Sequence, residues 1–348
     1  MHYLNSLYIK SYKETGVAQV QIIQVKKDDE GIRLDRWFQR HYPMLKNGQL
    51  QRLIRAKNIK VNGQKTSTDF RLSIGDEIRV PPLQLDATSL KNEPRNLSKA
   101  DIDFMKSLVI YKDEDIIVLN KPAGISVQGG TKTSRHIDGL LDALRFEKQE
   151  KPHLVHRLDK DTSGVLILGR TANAAASLAL AFKQRKALKV YWAVVVGKPK
   201  LLSGKIDAPL LKLPGAQGKE QIKIDFDNGQ RAQTLYRVID ALAKKASWLE
   251  MCPLTGRTHQ LRVHSMALNT PIVGDVKYGG ERALSVGMQD ADKMHLHARA
   301  LKIQHPNPKK GWMEFEATLP AHMKNTFDFL GFDEDQSVNP FDYFKKDE

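Results

Sequence analysis

The spacing of apolar residues divides the chain into two textures. Near the start, Leu34, Trp37 and Phe38 recur at helical spacing, and Leu50, Leu53 and Ile54 repeat the pattern. Apolar side chains three and four positions apart share one helix face, so two short amphipathic helices are predicted. Short strands are predicted around them: Val20 to Val25, Ile59 to Val61 running into Asn62-Gly63, and Ile78 to Val80 after Gly75-Asp76-Glu77. Asn-Gly is a strong turn signal because both residues accept a left-handed backbone. Residues 84–104, with Asn92, Pro94 and Ser98, lose periodicity and read as a linker. From 105 strand-like runs alternate with turns: Ile116 to Leu119, Val165 to Leu168, Val190 to Val196, Leu235 to Ile239, Trp248 to Cys252, His295 to Ile303 and Trp312 to Ala317. Helices interrupt them at Ala172 to Lys186, with Thr171 as cap, and at about Thr258 to Leu268. The layout is an N-terminal segment 1–30, a small α+β module 31–83, the linker 84–104, a large α+β domain 105–330 built on mixed or antiparallel sheet, and an acidic tail 331–348 expected to be mobile.

Charge sharpens this picture. The chain of 348 residues carries a formal charge of +15. The segment 31–82 holds eleven Lys and Arg against four Asp and Glu, close to half of that excess. Its arginines fall away from the apolar stripes: Arg33, Arg36 and Arg40 on the first helix, Arg52 and Arg55 on the second. Lys and Arg near phosphates release condensed counterions, so a polyanionic partner is favoured over an inert basic surface. The single cysteine, Cys252, excludes a disulfide framework and a Cys-based zinc site, and suits a reducing compartment. No apolar run is long enough for a membrane helix, and no secretory signal pattern opens the chain. A weak organelle-targeting segment would fit within the first 25 residues or so. The cytoplasm is the expected compartment, with the mitochondrial matrix second, and a monomer is the default state.

Two polar clusters could carry chemistry. His156-Arg157-Leu158-Asp159-Lys160-Asp161-Thr162-Ser163-Gly164 sits directly before an apolar strand. Loops on rigid scaffolds are where reacting groups concentrate, although a charged surface turn would look similar. Thr255-Gly256-Arg257-Thr258-His259-Gln260-Leu261-Arg262-Val263-His264 opens a helix, where free amides and two arginines suit an anion; His259 and Arg262 are expected to share a face. Leu119 to Gly124 and Lys189-Val190-Tyr191-Trp192 are weaker candidates. A metal-dependent hydrolase using His156, Asp159, Asp161, His259, His264, His295 and His297 is the competing reading. The five-residue step from His259 to His264, with no Glu after His259, is poor ligand spacing.

Taken together these segments resemble the RluA-type family of pseudouridine synthases over about 108–320. The run at 156–164 looks like the family's signature loop; residues 118–124, 189–195, 255–264 and 274–279 follow its further motifs in order. The basic segment resembles an S4-type RNA-binding domain. Gly129-Gly130 after Val127, and Ala208-Pro209-Leu210-Leu211, look most like the RluC branch, which acts on large-subunit ribosomal RNA. Gln128 stands where that branch often has His. The resemblance implies an isomerase that breaks the N1–C1′ bond of a uridine and rejoins the base through C5, with no cofactor and no metal. It implies Asp159 as the catalytic carboxylate, nucleophile or base, ionised at neutral pH. It also implies Arg262 as the guanidinium that holds it, and Tyr191 and Leu261 against the base. Arg157 would fill the gap left by the extruded nucleotide, and Arg257 would touch the backbone. A transfer-RNA target and a non-catalytic RNA-binding protein are the alternatives.

Overall fold

The computed structural model describes residues 19–42, 45, 47–83, 97–129, 135–214, 220–284, 288, 290–337 and 340–344. Gly130, residues 84–96 of the expected linker and residues 1–18 lie outside them. The chain divides into two compact units, Met1–Glu93 and Pro94–Glu348.

In the first unit, strands β1 (Gln21–Gln24), β2 (Lys60–Val61) and β3 (Glu77–Val80) form an antiparallel sheet in the order β1-β3-β2. The helices Leu34–His41 and Asn47–Arg55 pack on it. Their apolar stripes do what the spacing predicts: Leu34, Trp37, Phe38 and Leu50 are buried with Ile59, Ile78 and Val80 in one core. Asn62 and Gly63 both adopt positive φ, 50° and 73°, and close the expected two-residue turn. Asp29 is buried beneath the first helix, where it accepts from Trp37 Nε1 at 3.2 Å and Arg40 Nη1 at 2.9 Å and meets His41 Nε2 at 2.7 Å. Arg33 is not on the helix face as expected; it precedes the helix in extended conformation and pairs with Asp35 at 2.7 Å. Arg36, Arg52 and Arg55 are exposed.

The second unit is built on a ten-stranded sheet among the described residues. Its strands are β4 (Val109–Lys112), β5 (Ile116–Lys121), β6 (His153–Leu154), β7 (Ser163–Gly169), β8 (Leu188–Val196), β9 (Ser203–Asp207), then β12 (Gln233–Leu242), β13 (Ala246–Pro253), β14 (Leu296–Gln304) and β15 (Trp312–Glu316). A separate hairpin, β10 (Leu210–Pro214) and β11 (Glu220–Ile224), accounts for the two missing numbers. The order is β4-β5-β7-β14-β8-β13-β12-β9, with β6 on β7 and β15 on β14. Only β7–β14 runs parallel, so the sheet is mixed, as the sequence led us to expect. Helices cover it, among them Ala172–Lys183, capped by Thr171 as expected, and Ala321–Leu330. No helix of the described residues is long and apolar enough to cross a membrane.

Two expectations fail at the ends of this unit. The linker gives way at Ser98, whose hydroxyl accepts from the Asp101 amide and caps a helix, Lys99–Ser107, that buries Met105. The tail is acidic on average, yet Phe332, Phe341 and Phe344 lie buried in the same core as Trp192, Trp248 and Phe327. Three large aromatics outweigh the surrounding carboxylates, because each contributes roughly 2 kcal/mol or more when removed from water.

Candidate active site

The loop before β7 is held from three sides. Leu158 is buried in the core, which turns Arg157 outward and leaves Asp159 half-buried. His156 Nε2 accepts from the Ile167 amide at 3.0 Å, and the ring stacks on Phe182 with centroids 4.4 Å apart. This packing lowers the imidazole from 6.5 to about 3, through desolvation first and the nearby Lys189 charge second. Lys121, wholly buried at the end of β5, donates to the carbonyls of Pro122, Ile125 and Lys160 at 2.8, 3.0 and 3.1 Å. Burial pulls this ammonium down to about 8 against the opposing charges of Asp161 and Asp159. Gly164 enters the strand at φ 112°, where a Cβ would sit 2.2 Å from the Ala298 carbonyl oxygen. Only glycine allows β7 to run this close to β14.

Facing the loop is the segment 255–264. Its helix, Gln260–Ala267, starts two residues later than the sequence suggests. The Gln260 side chain explains the delay: its Oε1 accepts from Thr255 Oγ1 at 2.7 Å and the Arg257 amide at 3.1 Å, while its Nε2 donates to Gln233 O at 2.8 Å. These bonds force the turn, and His259 is left in the left-handed region at φ 54°. His259 is therefore at the helix cap and shares no helix face with Arg262. Non-glycine residues held there cost of order 1–3 kcal/mol and cluster at functional sites. Its Nδ1 lies 2.5 Å from the Tyr278 hydroxyl and its Nε2 3.8 Å from Asp159 Oδ2. Burial lowers this imidazole below its ordinary value, opposed by Asp159.

Arg262 is buried, and its principal partner is Asp275 rather than Asp159. Nε and Nη2 donate to the Asp275 carboxylate at 2.8 and 2.6 Å, and the guanidinium lies over the Tyr278 ring at 5.0 Å. The free edge, Nη1, stands 3.7 Å from Asp159 Oδ2. Burial opposes the guanidinium charge, but hydrogen bonding to Asp275 and the two carboxylates raise its pKa nonetheless. Asp275 is buried too and caps the short helix Val276–Gly279. Tyr191 is half-buried on β8, its phenol pushed up by burial and then by Asp159.

Asp159, Tyr191, Leu261, Arg262, Arg157 and Arg257 line one open cleft of about 440 Å³, together with Lys183, Arg185 and Lys189. The cleft thus brings together the six residues to which the family resemblance gave a role in the large domain. Arg257 Nε donates to the Arg231 carbonyl at 3.2 Å, which turns it away from the carboxylate. Sequence reasoning assigned no role to Asp275, Tyr278, Gln260, Lys121 or Lys189, although the motifs at 118–124, 189–195, 255–264 and 274–279 contain all five. Three of the histidines weighed as metal ligands are engaged elsewhere. His264 meets Thr234 Oγ1 and the Ala208 carbonyl, His295 meets Thr326 Oγ1, and His297 lies between Ser163 Oγ and the Ala317 carbonyl. Among the described residues no three His, Cys, Asp or Glu side chains converge on one point.

Residues 115–267 match the family described as RNA pseudouridylate synthase. The mitochondrial RNA pseudouridine synthase 4 of Arabidopsis thaliana is 35% identical, covering 85% of this chain and 78% of the relative. The ribosomal large subunit pseudouridine synthase C of Rickettsia conorii is 37% identical, covering 76% and 87%. The chain belongs to the RluA-type pseudouridine synthase family. The Vibrio parahaemolyticus ribosomal large subunit pseudouridine synthase C, 30% identical over 88% of this chain and 95% of its own, agrees. Among solved structures, human RNA pseudouridylate synthase domain containing 4 superposes with a TM-score of 0.55 at 30% identity, covering 67% of this chain and 97% of that one. This synthase fold accounts for the mixed sheet, and the activity is that of an isomerase.

Proposed function

We propose that this synthase isomerises uridines of large-subunit ribosomal RNA and that Asp159 is the side chain that reacts. The observation that carries the reading is a half-exposed carboxylate 3.7 Å from a buried guanidinium inside a cleft rimmed by cations. The names of the bacterial relatives support ribosomal RNA as the target. The isomerisation balances internally: the N1–C1′ bond breaks, C5 bonds to C1′, C5 loses a proton and N1 gains one. Asp159 acts as nucleophile at the sugar or as base, and Arg262 aims it. Tyr191 and Leu261 offer an aromatic and an aliphatic wall, which suits an extruded uracil; extrusion costs a few kcal/mol that stacking in the cleft offsets. Arg157 and Arg257 are read as contacts to the strand left behind, and Arg33, Arg36, Arg52 and Arg55 as phosphate contacts of an S4-type module. Neither a cofactor nor a metal enters this scheme. The chain is read as a monomer of the bacterial cytoplasm. The relative from Arabidopsis mitochondria is what supports the matrix instead.

The test is Asp159→Asn in a strain lacking the native protein, with pseudouridines mapped across total RNA. Sites that vanish on deletion should return with wild-type protein and stay absent with the variant, while the purified variant still binds RNA. Restoration by Asp159→Asn sinks the assignment.

A further inference from the structure

The cleft contains cations that the isomerisation does not use. Lys189 and Tyr191 are two apart on β8 and therefore face the same side, the side that continues into the buried Ala193 and Val195. Lys189 is half-buried, and burial holds its ammonium below the ordinary value. Among the described residues no carboxylate pairs with it; its nearest acidic neighbour is the buried Cys252 thiol, which burial pushes up to about 11 and so leaves without charge, and a second cation, Arg185, also acts on it. A half-buried ammonium beside a guanidinium and away from any carboxylate is unfavourable unless an anion completes the site. Lys121, in contrast, is satisfied by three carbonyls.

Arg185 gives an independent sign. It follows the helix Ala172–Lys183 in the left-handed region, φ 61°, where helices usually end on glycine. An arginine here strains the turn and yet remains exposed, with its side chain lining the cleft beside Lys183. The stacked Phe182 and His156 line the same cleft, and His156 is kept neutral, so it does not compete for an anion.

We propose that Lys189, with Arg185 and Lys183 at the rim, forms an anion subsite that grips one backbone phosphate of the RNA strand next to the extruded nucleotide. The subsite rests on reading the cleft as an RNA site. It lies one strand position pair from Tyr191, so a phosphate held there would fix the nucleotide's backbone while the base meets the phenol. Phosphate contacts set register without reading sequence.

The test uses the full chain and a short single-stranded oligouridylate, with binding measured across a potassium chloride series. Lys189→Gln should weaken binding about 5- to 30-fold at low salt and reduce the log–log slope by about 0.7, the loss of one counterion-releasing contact. Lys189→Arg should restore the slope. Because the lysine is unpaired, Lys189→Gln should melt at or above the wild-type temperature, and Arg185→Gly should melt higher while binding more weakly. Wild-type affinity and slope in Lys189→Gln overturn the subsite. A lower melting temperature does so too, since it makes the lysine a structural strut. Pseudouridine formation by the wild-type chain is scored separately on ribosomal RNA. Its absence defeats the synthase reading while the slope still decides the subsite.

Discussion

The basic N-terminal unit and the cleft both rely on arginine, but they handle its charge in opposite ways. Arg36, Arg52 and Arg55 stand exposed, and the acid that matters in that unit, Asp29, serves the packing of the first helix. In the cleft Arg262 and Asp275 are both buried and locked by two hydrogen bonds. Exposed cations act at a distance, additively and with strong salt dependence. A buried pair acts as one unit, and removing half of it leaves a charge without a partner. On the proposed function, the comparison separates residues that would collect RNA from residues that would hold the reacting group.

The sharpest way to break that distinction is Asp275→Ala. It removes the carboxylate that fixes Arg262 and the cap of Val276–Gly279, leaving Asp159 at 3.7 Å and the Tyr278 ring at 5.0 Å. We expect a loss of about 3 kcal/mol in urea unfolding and at least about a hundredfold in rate, because both a buried ion pair and the aim of the carboxylate are disturbed. A variant with wild-type stability and rate would show that the buried pair is no more integrated than the surface arginines.

Acid should separate the two units as well. His295 and His297 are wholly buried, and burial lowers both from 6.5 to about 4. Between these values the unfolded chain binds protons that the folded chain refuses. Their contribution is therefore complete above about pH 6.5 and is lost as pH falls towards 4, at up to about 1 kcal/mol per pH unit for each. Urea unfolding of His297→Asn at pH 5 and 7 checks this, since the variant should show a shallower pH dependence than wild type.

Within the cleft, His259 allows a smaller cut. His259→Asn keeps a residue that tolerates the left-handed backbone but shortens the link between Tyr278 and Asp159. The expected result is a fall in kcat of about tenfold with KM little changed, because the side chain orients Asp159 rather than gripping RNA. A rise in KM alone would move His259 to the binding side of the comparison.

How much of this was legible depended on the range of the interaction. Local periodicity sufficed for the buried stripe of Leu34, Trp37 and Phe38, and local turn chemistry for Asn62-Gly63. A loop dense in polar residues before an apolar strand marked 156–164 as a candidate, and the family resemblance picked Asp159 out of it. The pairing of Arg262 with Asp275 crosses the end of a helix and a turn, and no local pattern encodes it. The left-handed His259 follows from Gln260 reaching back to Gln233, again a non-local bond. Strand β9 escaped notice because it buries one residue in five, so its edge position leaves almost no alternation. The helix at Lys99–Ser107 and the buried Phe341 and Phe344 were hidden by polar neighbours, since average composition does not report which single side chains find a core.

The smallest effect is expected from the surface arginines, and it is the one that tests their side of the comparison. Arg36→Gln, Arg52→Gln and Arg55→Gln each remove an exposed charge without disturbing Leu34, Trp37 or Leu50 beneath. Arg55 also gives up a 3.3 Å bond to the Gln51 carbonyl, worth little at an exposed site. Stability should change by no more than about 0.5 kcal/mol for each. If all three contact phosphate, the triple variant should lose about 2 to 3 units of the salt slope on a structured ribosomal RNA fragment, in roughly equal steps. The rate at saturating RNA should be unchanged. Steps that are equal and independent would confirm additive surface charge. A triple variant with the wild-type slope would mean that the basic helices face solvent alone, and that the RNA is held by the cleft unit.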